Sequence, residues 1–111
     1  MAKIRKFFDR EQNLLVHITV TILVIIVGLF FGLRTYEWVM IFALVALVIV
    51  SELINSAVEL VVDTYTSEFN SLAMVAKDTA AAGVLVSAIT AAGVGLYIFI
   101  PKFIDLIEKV F

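Results

Sequence analysis

The chain has 111 residues, of which 63% are hydrophobic and 16% charged, and its mean hydropathy is +1.13. Soluble domains are about 45–50% apolar, so this composition indicates a single-domain integral membrane protein with too little polar sequence for a separate soluble catalytic domain. The net charge of −2 gives no sign of nucleic-acid binding, and the absence of cysteine excludes disulfides, thiolate metal sites and a cysteine nucleophile. Any chemistry must therefore be carried out by the membrane helices and their short connections.

The apolar runs predict an all-α membrane protein with three transmembrane helices. Each span needs about 20 residues to cross a hydrocarbon core of about 30 Å. The first run is longer than the apolar region of a signal peptide and has no small-residue cleavage site, so we expect it to be retained. From the N-terminus, the predicted elements are an interfacial segment (1–13), a first span (14–33), a second span with its cytoplasmic extension (37–63), a cytoplasmic loop (64–79), a third span (80–100) and a tail (101–111).

The N-terminal segment is basic and amphipathic. Its positive charges are Lys3, Arg5, Lys6 and Arg10. A short helix lying on an anionic membrane surface suits this pattern, and a disordered basic tail is the alternative.

The third span carries small residues at a regular spacing. Gly83, Ser87, Ala91 and Gly95 repeat every four residues, which favours close packing against another membrane helix. Pro101 is expected to end this span and to leave an amphipathic tail at the opposite membrane surface.

Charge asymmetry predicts the orientation of the spans. The N-terminal segment and the second loop carry five Lys and Arg residues, whereas the first loop and the tail carry three. Because basic residues concentrate on the cytoplasmic side, the N-terminus is expected to be cytoplasmic. The acidic residues described next then lie at the cytoplasmic face.

A polar stripe interrupts the end of the second span. At 100° per residue, Glu52, Asn55, Glu59 and Asp63 lie at about 0°, −60°, −20° and +20° around the helix axis. A charged side chain near the centre of a membrane helix costs roughly 2.5–3.5 kcal/mol, so such residues usually pair and usually have a function. The alternative interpretation is a carboxylate satisfied by a neighbouring helix or by the interface.

The acidic residues near this surface suggest metal-assisted phosphoryl transfer. Carboxylate oxygens are suited to Mg²⁺, which binds through one or two carboxylates together with substrate phosphates. Lys77 is placed to contact phosphate, and the deeper Glu52 is suited to remove a proton from an alcohol. Residue chemistry alone leaves a proton- or cation-coupled transporter open. The acidic residues in question are Glu11, Glu52, Glu59, Asp63, Glu68 and Asp78.

Three motifs carry a resemblance to a known family. Residues 52–63, ELINSAVELVVD, closely resemble the signature E-x-x-N-[ST]-A-x-E-x-x-x-D of the prokaryotic diacylglycerol kinase and undecaprenol kinase family. Residues 76–78, AKD, resemble the second motif of the family, with Lys77 fourteen residues after Asp63. Residues 11–17, EQNLLVH, resemble the E-x-N-x-x-x-H entry to the first span in its Gram-positive branch. The match covers about residues 10–102.

The resemblance implies a homotrimeric kinase of the bacterial cytoplasmic membrane, with composite active sites between protomers. Such enzymes transfer the γ-phosphate of Mg-ATP to a lipid alcohol at the cytoplasmic surface. Undecaprenol is favoured over diacylglycerol because the N-terminal and C-terminal parts of the sequence resemble the Gram-positive branch of the family. A non-catalytic assembly or a small ion-coupled transporter on the same scaffold is the alternative.

Roles for individual residues also follow from the resemblance. Glu52 would be the general base and Asn55 its polar neighbour. Glu11 and Glu59 would hold Mg²⁺. Asn13 and His17 would lie along the entry path of the lipid. The expected nucleotide-binding residues are Glu11, Glu59, Asp63, Glu68, Asn70, Lys77 and Asp78.

Overall fold

The computed structural model describes residues 12–65 and 70–111, and these form three helices. They are α1 (Gln12–Phe31), α2 (Thr35–Tyr65) and α3 (Ser71–Val110), of 20, 31 and 40 residues. All three are long and apolar enough to cross a membrane. The prediction of an all-α membrane protein with three spans is confirmed. The predicted interfacial helix lies outside the described residues, except that its last two residues, 12 and 13, begin α1.

Gly32 ends α1 and reverses the chain. Its φ of +71° lies in the left-handed region that glycine adopts without steric cost. The amide groups of Gly32 and Leu33 both donate to the carbonyl of Gly28, at 2.9 and 3.4 Å. With α2 starting at Thr35, the first two helices run antiparallel, and the start of α1 lies beside the later part of α2.

The buried apolar core is small and lies between all three helices. Leu33, Ile41 and Ile98 are buried together, and Trp38 and Phe99 pack against them. Most other large apolar side chains are exposed on the outer surfaces of the helices. These surfaces would be unfavourable in water, whereas in a bilayer lipid or another protein chain covers them, since every span must be apolar on its outer face.

An ion pair joins α2 to α3 at the end of the molecule opposite the polar stripe. The buried carboxylate of Glu37 accepts a hydrogen bond from Lys102 Nζ at 2.8 Å and another from the backbone N–H of Arg34 at 3.0 Å. Both carboxylate oxygens are therefore engaged, one by the α1–α2 turn and the other by α3. The pair fixes the relative positions of the helix ends.

The third helix is longer than the sequence predicted. Residues 71–79, expected within a loop, are its first turns, and the expected tail at 101–111 is its continuation through Val110. The start is stabilised by Asn70, whose Oδ1 accepts from the N–H groups of Leu72 and Ala73 at 2.9 and 3.1 Å.

Pro101 lies inside α3 and does not end it. The prediction that the third helical span ends at residue 100 was therefore wrong. A proline ring removes one backbone donor, and membrane helices tolerate this loss because nearby groups satisfy the freed carbonyl. A helix of 40 residues is about 60 Å long. Because the hydrocarbon core is only about 30 Å thick, the ends of α3 project beyond it.

Gly28 is required by the close approach of α1 to the start of α2. A Cβ atom at Gly28 would lie 2.7 Å from Trp38 Cη2 and 3.0 Å from Leu33 Cδ1. Gly28→Ala is therefore expected to lower the free energy of unfolding by about 1–3 kcal/mol, the usual cost of overpacking. A mixed-detergent unfolding titration measures this change. The matched control is Gly93→Ala, because a Cβ there meets nothing within 4 Å. Equal stability of the two variants would contradict the packing argument.

Candidate active site

The polar stripe of α2 becomes progressively more exposed towards the end of the helix. Glu52 and Asn55 are buried, Glu59 is half-buried and Asp63 is exposed. The helical period places these side chains on one face, and the packing of α1 and α3 covers only its deeper part. The stripe therefore offers a buried carboxylate at one end and a water-accessible carboxylate at the other.

The carboxylate of Glu52 faces the imidazole of His17 on α1. Glu52 Oε2 lies 3.9 Å from His17 Nε2, and the two side chains are 3% and 24% exposed. The contact follows from the antiparallel arrangement of α1 and α2. Ser56 Oγ donates to the backbone carbonyl of Glu52 at 3.0 Å, one turn earlier on the same helix. A proton acceptor excluded from bulk water thus lies beside a partly exposed histidine.

Asn55 carries a buried acceptor that no residue in the described ranges pairs with. Its Nδ2 donates to Glu59 Oε1 at 3.5 Å, whereas its Oδ1 has no hydrogen-bond partner within the described part of the chain. Leaving such an atom unpaired costs about 1–3 kcal/mol, and an unpaired group in a native protein calls for a functional explanation. A donor supplied by a substrate or by hydrated metal would satisfy it.

The side-chain oxygens of Asn55 and Glu59 are suitable ligands for Mg²⁺. Hard cations prefer carboxylate and amide oxygens, and Mg²⁺ usually retains several bound waters that donate to neighbouring acceptors. Residues 12–65 and 70–111 contain no group of three acidic or histidine side chains close enough to hold a metal. Glu11, which the sequence predicts as the second metal ligand, lies outside these residues.

An ion pair between Lys77 and Asp63 joins the end of α2 to the start of α3. Lys77 Nζ donates to Asp63 Oδ1 at 2.6 Å, with the two side chains 39% and 48% exposed. An exposed ion pair contributes only about 0–1 kcal/mol to stability. Its consequence is positional, because it holds an ammonium group beside the outer end of the stripe.

The remaining predicted site residues are only partly brought to this surface. Asp78 is exposed on α3, next to Lys77, and Asn13 is exposed at the start of α1. Asn70 uses its Oδ1 to cap α3, which is a structural role that the sequence prediction did not include. Glu68 lies outside the described residues.

A serine pair beside the stripe was not anticipated from the sequence. Ser51 Oγ and Ser87 Oγ are 3.0 Å apart, and Ser87 is buried. The pair ties α3 to α2 at the residue immediately before Glu52. The four-residue spacing of small residues predicted close packing for Ser87, but it gave no indication of its partner.

An apolar cavity of about 580 Å³ runs between the three helices. Its wall includes Val20 of α1, Val48 of α2 and Ala88 of α3. His17 also lines it, so the cavity begins at the residue that faces Glu52. Its volume lies within the range of about 300–1,000 Å³ typical of ligand pockets.

These features define a small membrane protein that places a buried carboxylate, an Asn–Glu pair and a lysine along one end of its helices. Residues 1–99 match the family described as prokaryotic diacylglycerol kinase. The chain belongs to this family. It is a membrane lipid kinase, and the family implies ATP as the phosphoryl donor. The family membership and lipid kinase activity predicted from the three motifs are confirmed.

Two curated relatives cover most of the chain. It is 39% identical over 92 residues to a protein named undecaprenol kinase from Bacillus subtilis, covering 83% of this chain and 75% of the relative. It is 33% identical over 100 residues to a protein named diacylglycerol kinase from Synechocystis sp., covering 89% of this chain and 57% of the relative. No solved structure matches the chain.

The unpaired oxygen of Asn55 generates a prediction that separates function from stability. Asn55→Leu is expected to abolish turnover while leaving the free energy of unfolding unchanged or raising it by about 1 kcal/mol, because it removes a buried unsatisfied acceptor. Kinase assays and a mixed-detergent unfolding titration measure the two effects.

The matched control for Asn55→Leu is Ser87→Ala, which breaks a satisfied polar contact with Ser51. Such contacts between membrane helices contribute about 0.6 kcal/mol on average, so this variant is expected to be slightly destabilised. A larger loss of stability for Asn55→Leu than for Ser87→Ala would contradict the assignment of the unpaired oxygen.

Proposed function

We propose that this protein transfers the γ-phosphate of ATP to undecaprenol in a Mg²⁺-dependent reaction at the cytoplasmic face of the bacterial inner membrane. The observation that carries the proposal is the buried carboxylate of Glu52, which faces His17 at the start of an apolar cavity. The identity to an undecaprenol kinase over three quarters of that relative supports the choice of lipid. Diacylglycerol is the second candidate, because the Synechocystis relative carries that name.

Glu52 acts as the general base. The hydroxyl of the lipid approaches Glu52 from the cavity side and donates its proton to the carboxylate. Its oxygen forms the new bond to the γ-phosphorus while the bond from that phosphorus to the bridging oxygen breaks and ADP leaves. Burial keeps bulk water away from the carboxylate, so water does not compete with the lipid hydroxyl as acceptor. General-base catalysis of this kind contributes about 10²–10⁴-fold to a rate.

Glu59 and Glu11 hold Mg²⁺, with Asn55 alongside. When bound, the ion neutralises charge on the phosphates of ATP. The hydrogen bond from Asn55 Nδ2 orients the Glu59 carboxylate, and the Asn55 Oδ1, which is unpaired among the described residues, would accept from a water bound to the ion. Both side chains therefore act on the same small volume beside Glu52.

The nucleotide binds at the outer end of the stripe. Asp63 holds Lys77 in place at 2.6 Å, and the ammonium group contacts a phosphate of ATP as a point charge. Asp78 and Glu68 belong to the same nucleotide-binding surface. Asn70 contributes indirectly, because its cap fixes the start of the helix that carries Lys77.

The active unit is a homotrimer with sites shared between protomers. Exposed apolar side chains on every helix provide surfaces for contact with further copies as well as with lipid. The excess of basic residues on the side of the N-terminus and the second connection supports a cytoplasmic site, where ATP is available.

One assay tests the proposed activity. Purified protein is incubated with labelled ATP and Mg²⁺ and with undecaprenol or diacylglycerol in mixed micelles, and labelled lipid phosphate is measured. We expect phosphorylated undecaprenol, a lower rate with diacylglycerol, and loss of product when Mg²⁺ is chelated. A faster reaction with diacylglycerol would overturn the choice of lipid. Failure to phosphorylate either lipid, together with metal-dependent ion flux in liposomes, would favour the transporter alternative.

Two carboxylate variants test the division of roles along the stripe. Glu52→Gln is expected to lower kcat by at least about 10²-fold with little change in ATP binding, because it removes the proton acceptor alone. Glu59→Gln is expected to weaken Mg-ATP binding. Kinetics and nucleotide-binding titrations measure these effects, with Glu108→Gln on the exposed last turns of α3 as the control. Normal turnover in Glu52→Gln would remove it from the role of base.

A further inference from the structure

The apolar cavity between the three helices begins at the level of the Glu52 carboxylate. Ser51 Oγ on α2 and Ser87 Oγ on α3 are 3.0 Å apart. Glu52 and Ala88 follow these serines, so they lie at about the same depth. Ala88 and His17 both line the cavity, and His17 Nε2 is 3.9 Å from Glu52 Oε2. An alcohol with its hydroxyl at Glu52 therefore has its attached chain at the start of the cavity.

Aromatic side chains close the opposite end of the cavity. Phe99 and Phe103 of α3 line it there. Phe31 of α1 packs against both, with its ring centroid 6.4 Å from that of Phe99 and 4.9 Å from that of Phe103. Because α1 and α3 meet at these rings, a transmembrane helix from a second copy has no room to run the length of the cavity, whereas a flexible hydrocarbon chain can end there.

The wall between these two ends is almost entirely hydrocarbon. Among the lining residues within 12–65 and 70–111, only His17 and Thr21 have polar side chains, and Thr21 Oγ1 already donates to the backbone carbonyl of His17 at 2.7 Å. Diacylglycerol would bring two ester groups, and a neutral imidazole has a single N–H to offer them. Because a buried polar group without a hydrogen bond is unfavourable, the wall favours an alcohol whose hydroxyl is carried directly on a hydrocarbon chain.

Gly95 leaves space in this wall that no other side chain fills. It lines the cavity seven residues after Ala88, or about 10 Å further along the helix axis. A Cβ atom at Gly95 would meet nothing within 4 Å. Glycine is less favourable than alanine within a helix, and no neighbouring group among the described residues requires it at this position. The space is thus available to a ligand of the cavity.

We propose that the cavity binds the hydrocarbon chain of the lipid substrate and that Gly95 determines the specificity of the protein for a long, ester-free chain. A chain that starts at Glu52 and runs towards Phe99 passes Gly95 on the way. The inference rests on the proposed function and extends it from the reacting hydroxyl to the chain that carries it. Gly95 acts through the width of the cavity, so its effect is confined to the lipid and does not reach the nucleotide.

Gly95→Leu in the full-length protein tests the role of this position. The leucine side chain occupies the space beside the helix, so kcat/KM for undecaprenol is expected to fall by at least about tenfold, with the KM for ATP unchanged. The matched control is Gly93→Leu, because Gly93 is exposed on the same helix, is not among the lining residues and also leaves room for a Cβ. Kinetics with labelled ATP in mixed micelles measure both variants.

Photo-crosslinking of the wild-type protein locates the chain without relying on turnover. The probe is a polyprenol that carries a diazirine a few isoprene units from its hydroxyl, and the labelled residues are identified by mass spectrometry. We expect labels on cavity residues such as Val45 and Val94. Labels confined to exposed residues outside the cavity, such as Val86 and Ile89, would overturn the proposal, and so would the absence of any label.

The kinetic outcomes separate the alternatives. Equal kcat/KM values for Gly95→Leu and Gly93→Leu would overturn the role of Gly95. A higher KM for ATP in Gly95→Leu would also overturn it, because that result indicates a general structural defect. A change in oligomeric state at unchanged kcat/KM, measured by size-exclusion chromatography, would assign the cavity to a second copy of the chain.

Failure of this inference is distinguishable from failure of the proposed function. If the wild-type protein phosphorylates no lipid alcohol, the proposed function is wrong whatever the crosslinks show. If it phosphorylates undecaprenol and both glycine variants match it, the kinase assignment stands and the specificity role of Gly95 alone is wrong.

Discussion

The burial of the Glu52 carboxylate within a membrane helix is the constraint on which the rest of the site depends. A charged group at this depth is unfavourable by roughly 2.5–3.5 kcal/mol on insertion scales, and partners on neighbouring helices must offset that cost. His17 faces the carboxylate from α1, and the Ser51–Ser87 contact holds α3 against α2 one residue earlier. The site therefore exists only when the three helices are packed in one register.

That register is fixed at the opposite end of the molecule. Gly32 ends α1 in a conformation that allows the chain to reverse, and Gly28 lets the indole of Trp38 approach the backbone. The carboxylate of Glu37 then joins the turn to Lys102 on α3. Because helices are stiff, positions fixed at this end determine which residues meet at the other. The contacts at this end are structural, and the proposed function places the chemistry at the other end.

The sequence was most informative about features that depend on one helix and least informative about features that need two. Apolar length predicted the three spans, and helical period predicted the single face of the polar stripe and the greater depth of Glu52. The continuation of α3 was missed because its start depends on the cap at Asn70, and because a membrane helix tolerates Pro101. The pairing of Glu37 with Lys102 joins residues 65 positions apart, and no local pattern reports a contact of that kind.

Under the proposed function, protomers of only three helices carry out phosphoryl transfer because the membrane supplies part of the organisation. The reaction needs positioning and charge neutralisation more than covalent chemistry. Under the proposed function, the bilayer delivers the lipid hydroxyl at a set depth, and the stripe matches that depth. Glu52 and Asp63 are eleven residues apart, or about 16 Å along the helix axis. The two substrates thereby bind at different positions along one helix face, the lipid at the buried carboxylate and the nucleotide at the exposed one. Within residues 12–65 and 70–111, the Asn55 oxygen between these ends is unpaired, and under the proposed function a donor from a substrate or a metal-bound water offsets that cost.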